Sequence, residues 1–226
     1  MEISRCHICG EIKRMTFEHI PPKSSGNSTP AKIITGEQII SNGREPWDIN
    51  GLSFNTLQKG LGKSVLCEHC NNTTGSWYAD AYKSFYFQIP FLKVNPPTLE
   101  QSLIELDFIE IYPLRVMKQI VCMFMGICGP HLGDRYPEIR QFVLSQEFKQ
   151  LDFSKYRFSF FIRRGEWRYP QQLAQFVVLR KTELGHIRNM VSYIDTPTAE
   201  FLFEEKVNGY ISNELIGIDL HQLAED

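Results

Sequence analysis

The sequence has no surplus of positive charge. Its 24 Lys and Arg stand against 26 Asp and Glu, a formal net charge of −2. Composition alone therefore gives no support to a nucleic-acid-binding protein, which is more often basic. No long apolar run is present either. The longest, VMKQIVCMFMGICG, is too short to span a bilayer and carries Lys118, so no membrane partner is expected. The opening MEISRC has a Glu and no apolar segment, which argues against a secretory leader. Nucleotide-binding glycine patterns are missing: KGLGKS at 59–64 lacks the full Walker spacing, and no Rossmann fingerprint occurs. Internal repeats and low-complexity tracts are absent. Cysteine is too sparse for a secreted disulfide scaffold, with six in 226 residues, four of them in two C-x-x-C pairs. A reducing, cytoplasmic setting and a metal site fit that usage better.

What is present is an apolar fraction of 42%, enough to bury a real core. Residues 1–90 hold nearly all the candidate chemistry, and residues 91–226 read as a body of helices and strands, with a boundary near 89–98. AKIITGEQIIS reads as two short β runs around Gly36, NGREPWDINGLSFN as a loop, and LGKSVLCEHC as a strand entering the second Cys pair. From Asn71 onward NNTTGSWYADAYKSFYFQ has helical spacing, with Asn, Thr and Ser suited to cap its start. PLRVMKQIVCMFMGIC opens on Pro113 and is apolar on nearly every face, as a buried helix is. YPEIRQFVLSQEFKQL reads as an amphipathic helix. The remainder alternates in short runs parted by turn residues, the pattern of an antiparallel sheet. The expected class is α+β: a metal-knitted N-terminal module followed by helices and an antiparallel β-sheet.

Cys6, Cys9, Cys67 and Cys70 supply four soft thiolates in two knuckles, the usual ligand set of a tetrahedral structural Zn²⁺. The plain alternative is two unrelated buried pairs. The linker between the knuckles is longer than a zinc ribbon uses, so a substructure must sit there. Cys122 and Cys128 read as core. His7 and His69, inside the knuckles, read as exposed spacers, because four thiolates already fill the zinc shell. Glu18 and His19 follow RMTF; on a strand they would point to opposite faces, and Pro21 and Pro22 stiffen the chain behind them. Asn71, next to the last cysteine, would stand at a helix start, where anions are favoured.

Taken together, CHIC…FEHIPP…LCEHCNN resembles the HNH, or ββα-metal, nuclease superfamily, and more narrowly its four-cysteine zinc branch of the endonuclease VII type. The resemblance ends near residue 80. It implies that His19 is the general base that activates water, and that Glu18 and Asn71 bind a catalytic divalent ion, Mg²⁺ or Mn²⁺. DNA is then the expected partner, and phage biology or anti-phage defence the expected setting. One turn after Asn71, where the family places a further His or Asn, stands Gly75, with Asn72 and Asp80 as supplements. For the Asn that supports the His, Asn27, Asn50 and Asn55 compete. Lys23, Lys59, Lys63, Arg163 and Arg164 are candidate phosphate contacts, or ordinary surface charges. The body would select substrate, form a homo-oligomer or bind a regulatory protein. A zinc deaminase is excluded, since its H-x-E and P-C-x-x-C signatures are missing. A non-catalytic zinc module that binds nucleic acid or a protein partner is the rival reading, and a nicking assay separates the two.

Overall fold

In the computed structural model of the chain, the residues described are 2–41, 43, 50–91, 108–162, 173–182, 185–196, 199–206 and 218–219. The first cysteine pair is the turn of a β-hairpin. It joins β1 (Ile3–Arg5) to β2 (Ile12–His19), closed by Cys6 N–H donating to the Glu11 carbonyl at 2.8 Å and Gly10 N–H to the Cys6 carbonyl at 2.9 Å. Gly10 takes φ +79°, a conformation a side chain disfavours. The insert between the knuckles holds β3 (Ala31–Ile33), α1 (Gly36–Ser41) and β4 (Asn55–Leu57), with β3 and β4 paired antiparallel. Only the first of the two β runs expected in AKIITGEQIIS is a strand. The second is α1, because Thr35 and Gln38 form a reciprocal capping box: Gln38 Oε1 accepts from Thr35 N–H at 2.9 Å, and Thr35 Oγ1 from Gln38 N–H at 3.3 Å.

β5 (Gly62–Cys67) pairs with β2, which gives a three-stranded antiparallel sheet in the order β1-β2-β5. The chain turns from β5 directly into α2 (Glu68–Gln88), with Cys67 as the cap residue. The helix therefore begins three residues before Asn71, and no asparagine caps it. The second knuckle is itself the first helical turn, and a spacing of three puts Cys67 and Cys70 on one side of it. Tyr78, Ala81, Tyr82, Phe85 and Tyr86 form the buried stripe of α2.

That stripe packs on α3 (Pro113–Cys128), in which every residue from Val116 to Cys128 is buried. Two short helices follow, α4 (Pro130–Arg135) and α5 (Pro137–Leu144). The long amphipathic helix expected in YPEIRQFVLSQEFKQL stops at Leu144 for a tertiary reason. The buried Lys118 ammonium collects the carbonyls of Ser145, of Gln146 at 3.3 Å and of Phe148 at 2.7 Å, and so turns the chain out of the helix. Its stem lies by the Phe142 ring, with Nζ 4.8 Å from the centroid. Burial is the leading cause that lowers Lys118 to about 8. Lys118→Met is expected to cost about 2–3 kcal/mol, since three partly buried carbonyls lose a charged donor. A urea midpoint equal to wild type at pH 7 would contradict this.

The chain closes in a five-stranded antiparallel sheet: β6 (Tyr156–Ile162), β7 (Leu173–Thr182), β8 (Gly185–Asp195), β9 (Ala199–Glu205) and β10 (Ile218–Asp219), ordered β10-β6-β9-β8-β7. Alternate residues of β6 and β9 meet the helices: the Phe160 ring lies 5.7 Å from Phe85, Phe158 5.7 Å from Phe124, and Phe201 6.0 Å from Tyr82. One continuous core runs from Cys6, Ile8 and Ile20 through α2 and α3 to Phe203, so the knuckle module and the body share it. Polar ties reinforce the join. Arg5 makes a two-pronged pair with Asp134 at 2.6 and 2.7 Å, and Arg140 Nε donates to the Ile8 carbonyl at 2.7 Å. Among the described residues no helix is long and apolar enough to cross a membrane.

Candidate metal centre and active site

The sulfurs of Cys6, Cys9, Cys67 and Cys70 all lie within 4.8 Å of one another, with Cys9 and Cys67 at 4.0 Å. A tetrahedron with Zn–S of about 2.3 Å has edges of about 3.8 Å, so the cluster needs only slight contraction to close on one ion. All four thiols are free, and three are buried. Cys6 is held toward the thiolate, chiefly by the hydrogen bond with Cys70 and further by Cys67 N–H at 3.3 Å, while Cys70 is pushed up by the same pairing. Four soft donors around one point fit a structural Zn²⁺. His69 is exposed as expected. His7 is not an exposed spacer: it is half-buried, with Nδ1 2.9 Å from the Gly126 carbonyl. Gly126 also lets Ile20 approach α3, since a β-carbon there would lie 2.8 Å from Ile20 Cδ1. A residue of the knuckle itself, His7, therefore ties the module to α3.

Beside the cluster lies a cavity of about 520 Å³, lined among others by Glu18, His19, Lys23, Asn71, Gly75 and Gln119. Glu18 and His19 thus reach the same cavity, despite the alternation expected along a strand. They end β2, and the cavity wraps that end: His19 faces Gly62 across the sheet, which has no side chain to fill it. The β2-β5 register also slips between Thr16 and Phe17, just before the pair.

His19 Nε2 lies 2.8 Å from the Lys59 carbonyl. A carbonyl can only accept, so Nε2 carries the proton and Nδ1 holds the lone pair. Burial pulls the imidazole below its ordinary value, and Lys23 and Lys59 add to this, which favours the neutral base. Asn27 secures the turn between β4 and β5 that carries this carbonyl. Its Nδ2 donates to the Pro21 and Leu61 carbonyls, each at 2.7 Å, and its Oδ1 accepts Leu61 N–H at 2.7 Å. Of the three competing asparagines, Asn27 is the one that braces the segment orienting His19; Asn50 and Asn55 are exposed. Gly60, at φ +93°, lets Asn27 approach, since a β-carbon would sit 2.4 Å from the Asn27 carbonyl.

Asn71 stands in the first part of α2. Its Nδ2 donates to Thr16 Oγ1 at 3.0 Å and to the Phe17 carbonyl at 3.1 Å, and Thr16 in turn donates to the Leu66 carbonyl at 2.8 Å. The amide nitrogen is thus committed to β2. Among the described residues nothing bonds its Oδ1, which leaves the oxygen for a ligand.

Lys23 is exposed and lines the cavity, whereas Lys63 is exposed on β5 outside it, as are Asn72 and Asp80 on α2. Arg163 and Arg164 lie outside the described residues. Gln119 is a polar lining residue that sequence reading missed. It comes from α3, and its signal is faint: KQ as a polar pair inside the otherwise apolar run Val116–Cys128.

Burial pushes the Glu18 carboxyl up to about 7. A folded-state value above the unfolded one means the folded chain holds the proton more tightly. The stability this brings is complete below the unfolded value near 4.3 and is lost as pH rises through about 7. With zinc loaded and no other divalent ion added, Glu18→Gln is therefore expected to stabilise the protein by about 2 kcal/mol at pH 8, and by less toward pH 5. Equal midpoints at pH 8 in chemical denaturation would contradict the burial of this carboxyl.

The fold and site define an α+β protein with a four-cysteine cluster fit to hold a metal ion and a cavity lined by His19, Glu18 and Asn71. No protein-family model, no curated protein and no solved structure matches the chain.

Proposed function

We propose that this chain is a divalent-metal-dependent endonuclease of the HNH, or ββα-metal, type that hydrolyses DNA phosphodiester bonds. One observation carries the reading: His19, fixed by the Lys59 carbonyl with Nδ1 left as its base, shares a cavity with the Glu18 carboxylate and the Asn71 amide oxygen beside the four sulfurs. Glu18 and Asn71 are hard oxygen donors, suited to Mg²⁺ or Mn²⁺ and unsuited to the soft site next door. A divalent ion bound there supplies charge relief on the phosphate and support for the leaving oxygen. His19 Nδ1 takes the proton from the attacking water, a role for which a neutral imidazole near physiological pH is suited. Lys23, exposed at the rim, attracts the phosphate backbone without reading sequence. The cysteine cluster takes no part in the chemistry. It clamps the β1-β2 hairpin to the start of α2, and so holds the strand end with Glu18 and His19 against Asn71. Phage biology or anti-phage defence in the cytoplasm is the setting this activity suggests.

The test is nicking of supercoiled plasmid by the zinc-loaded full chain, with and without Mg²⁺ or Mn²⁺. Metal-dependent conversion to open circle is the expected result. No nicking with any divalent ion would overturn the reading and leave a zinc-stapled binding module, for which gel shifts with DNA and partner capture are the next measurements.

A further inference from the structure

Gln119 and Lys118 are adjacent on α3, and both are almost fully buried, at 2% and 1% exposed. Their polar groups fare differently. Lys118 has three carbonyl partners, whereas Gln119 Oε1 has no hydrogen-bond partner among the described residues. A buried amide oxygen is rarely left so, and one that lines a cavity points to a water or an ion as its partner. Gln119 lines the cavity that also holds Glu18, His19 and Asn71. On α2, one turn after Asn71, Gly75 brings no side chain to that cavity, and a β-carbon there would meet nothing within 4 Å. The space is open where the helix could have offered a donor, and Gln119, whose amide oxygen is buried and unpaired among the described residues, lines the same cavity from another element.

We propose that Gln119 supplies the third protein oxygen of the divalent-cation site, alongside Glu18 and Asn71. The inference rests on the reading of that site given above. An amide oxygen is a hard, neutral donor of the kind Mg²⁺ and Mn²⁺ accept. One carboxylate and two amide oxygens leave further positions for water and a phosphate oxygen, as a substrate-binding ion requires. The site is then built by both parts of the chain: strand end and α2 from the knuckle module, α3 from the body. The continuous core and the Arg5–Asp134 and Arg140–Ile8 ties become the means of keeping a ligand set in register.

The experiment is Mn²⁺ binding to the zinc-loaded full chain, followed by the electron paramagnetic resonance signal of free Mn²⁺, with thermal unfolding in zinc-loaded, Mn²⁺-free buffer as a second readout. Wild type is expected to bind one Mn²⁺, and Glu18→Ala to lose it. Gln119→Met, nearly isosteric and apolar, is expected to weaken binding at least about tenfold, the loss that even outer partners of a metal site cause. Its thermal midpoint in Mn²⁺-free buffer should rise by about 2–4 °C, because an unpaired buried oxygen is gone. A merely structural glutamine would lower the midpoint and leave affinity alone. Gln119→Glu should tighten binding by about tenfold through added charge, and it serves if Gln119→Met fails to fold. Wild-type affinity in Gln119→Met, or no tightening in Gln119→Glu, while Glu18→Ala loses the ion, would overturn the inference and leave the two-ligand site standing. No Mn²⁺ binding by wild type would overturn both.

Discussion

Cys67→Ser is expected to release the zinc ion and unfold the knuckle module. Cys67 is the hinge of the design: it ends β5, caps α2 and pairs with Met15 across the sheet. Serine keeps the size and loses the soft thiolate that a tetrahedral site requires. Structural zinc contributes roughly 10–16 kcal/mol in isolated finger peptides, where nothing else holds the fold. Here a buried core supports the same segment, so the expected loss is smaller, on the order of 5 kcal/mol. Zinc content by elemental analysis should fall from one per chain to near none, and the thermal midpoint should drop sharply. Cys122→Ala is the control. That thiol is buried in α3, its pKa pushed up by burial, and it lies outside the cluster, so zinc content should stay at one per chain. Full zinc occupancy in Cys67→Ser would mean that the four sulfurs do not share an ion.

His19→Ala is expected to reduce nicking by roughly 10²- to 10⁴-fold, the usual contribution of a positioned general base. Stability should change little. His19 is only half-buried, and it is held by one hydrogen bond to the Lys59 carbonyl and an edge contact to Phe17 at 5.0 Å. The split matters: zinc content and thermal midpoint near wild type, with activity lost, assigns the effect to chemistry. The residual activity should show a weaker pH dependence between pH 5 and 8, since the titrating imidazole is gone. Undiminished nicking by the variant would remove His19 from the mechanism.

The parts of the site that could be read from the sequence are those whose geometry is local. Each C-x-x-C fixes two sulfurs within one turn of chain, and Glu18-His19 are neighbours, so their types and spacing were visible as a string. The buried character of α3 was equally plain, because Val116–Cys128 is apolar on nearly every face. Alternation marked the strands β6 to β9 for the same reason: a side-chain period of two is a local property.

The failures lie where partners are distant or reciprocal. Segment 36–41 looked like strand, yet Thr35 and Gln38 satisfy each other's backbone and start α1. The helix that should have run past Leu144 is cut by Lys118, which comes from a different helix 27 to 30 residues earlier in the chain. Three asparagines looked equivalent until the Pro21 and Leu61 carbonyls selected Asn27. Gln119 resembled core until the cavity beside it came into view.

The sequence by itself determined the donors: four thiolates in two pairs, a carboxylate beside an imidazole, an amide after the last cysteine, and enough apolar residues to bury them. Tertiary structure alone decided how they meet. It brought the sulfurs within 4.8 Å, turned His19 Nδ1 free by engaging Nε2, and set Gln119 of α3, with its unpaired amide oxygen, along the cavity of His19. The physical reason is that donor chemistry belongs to single residues, whereas coordination, tautomer and burial are set by atoms far apart in the chain and joined only by the common core.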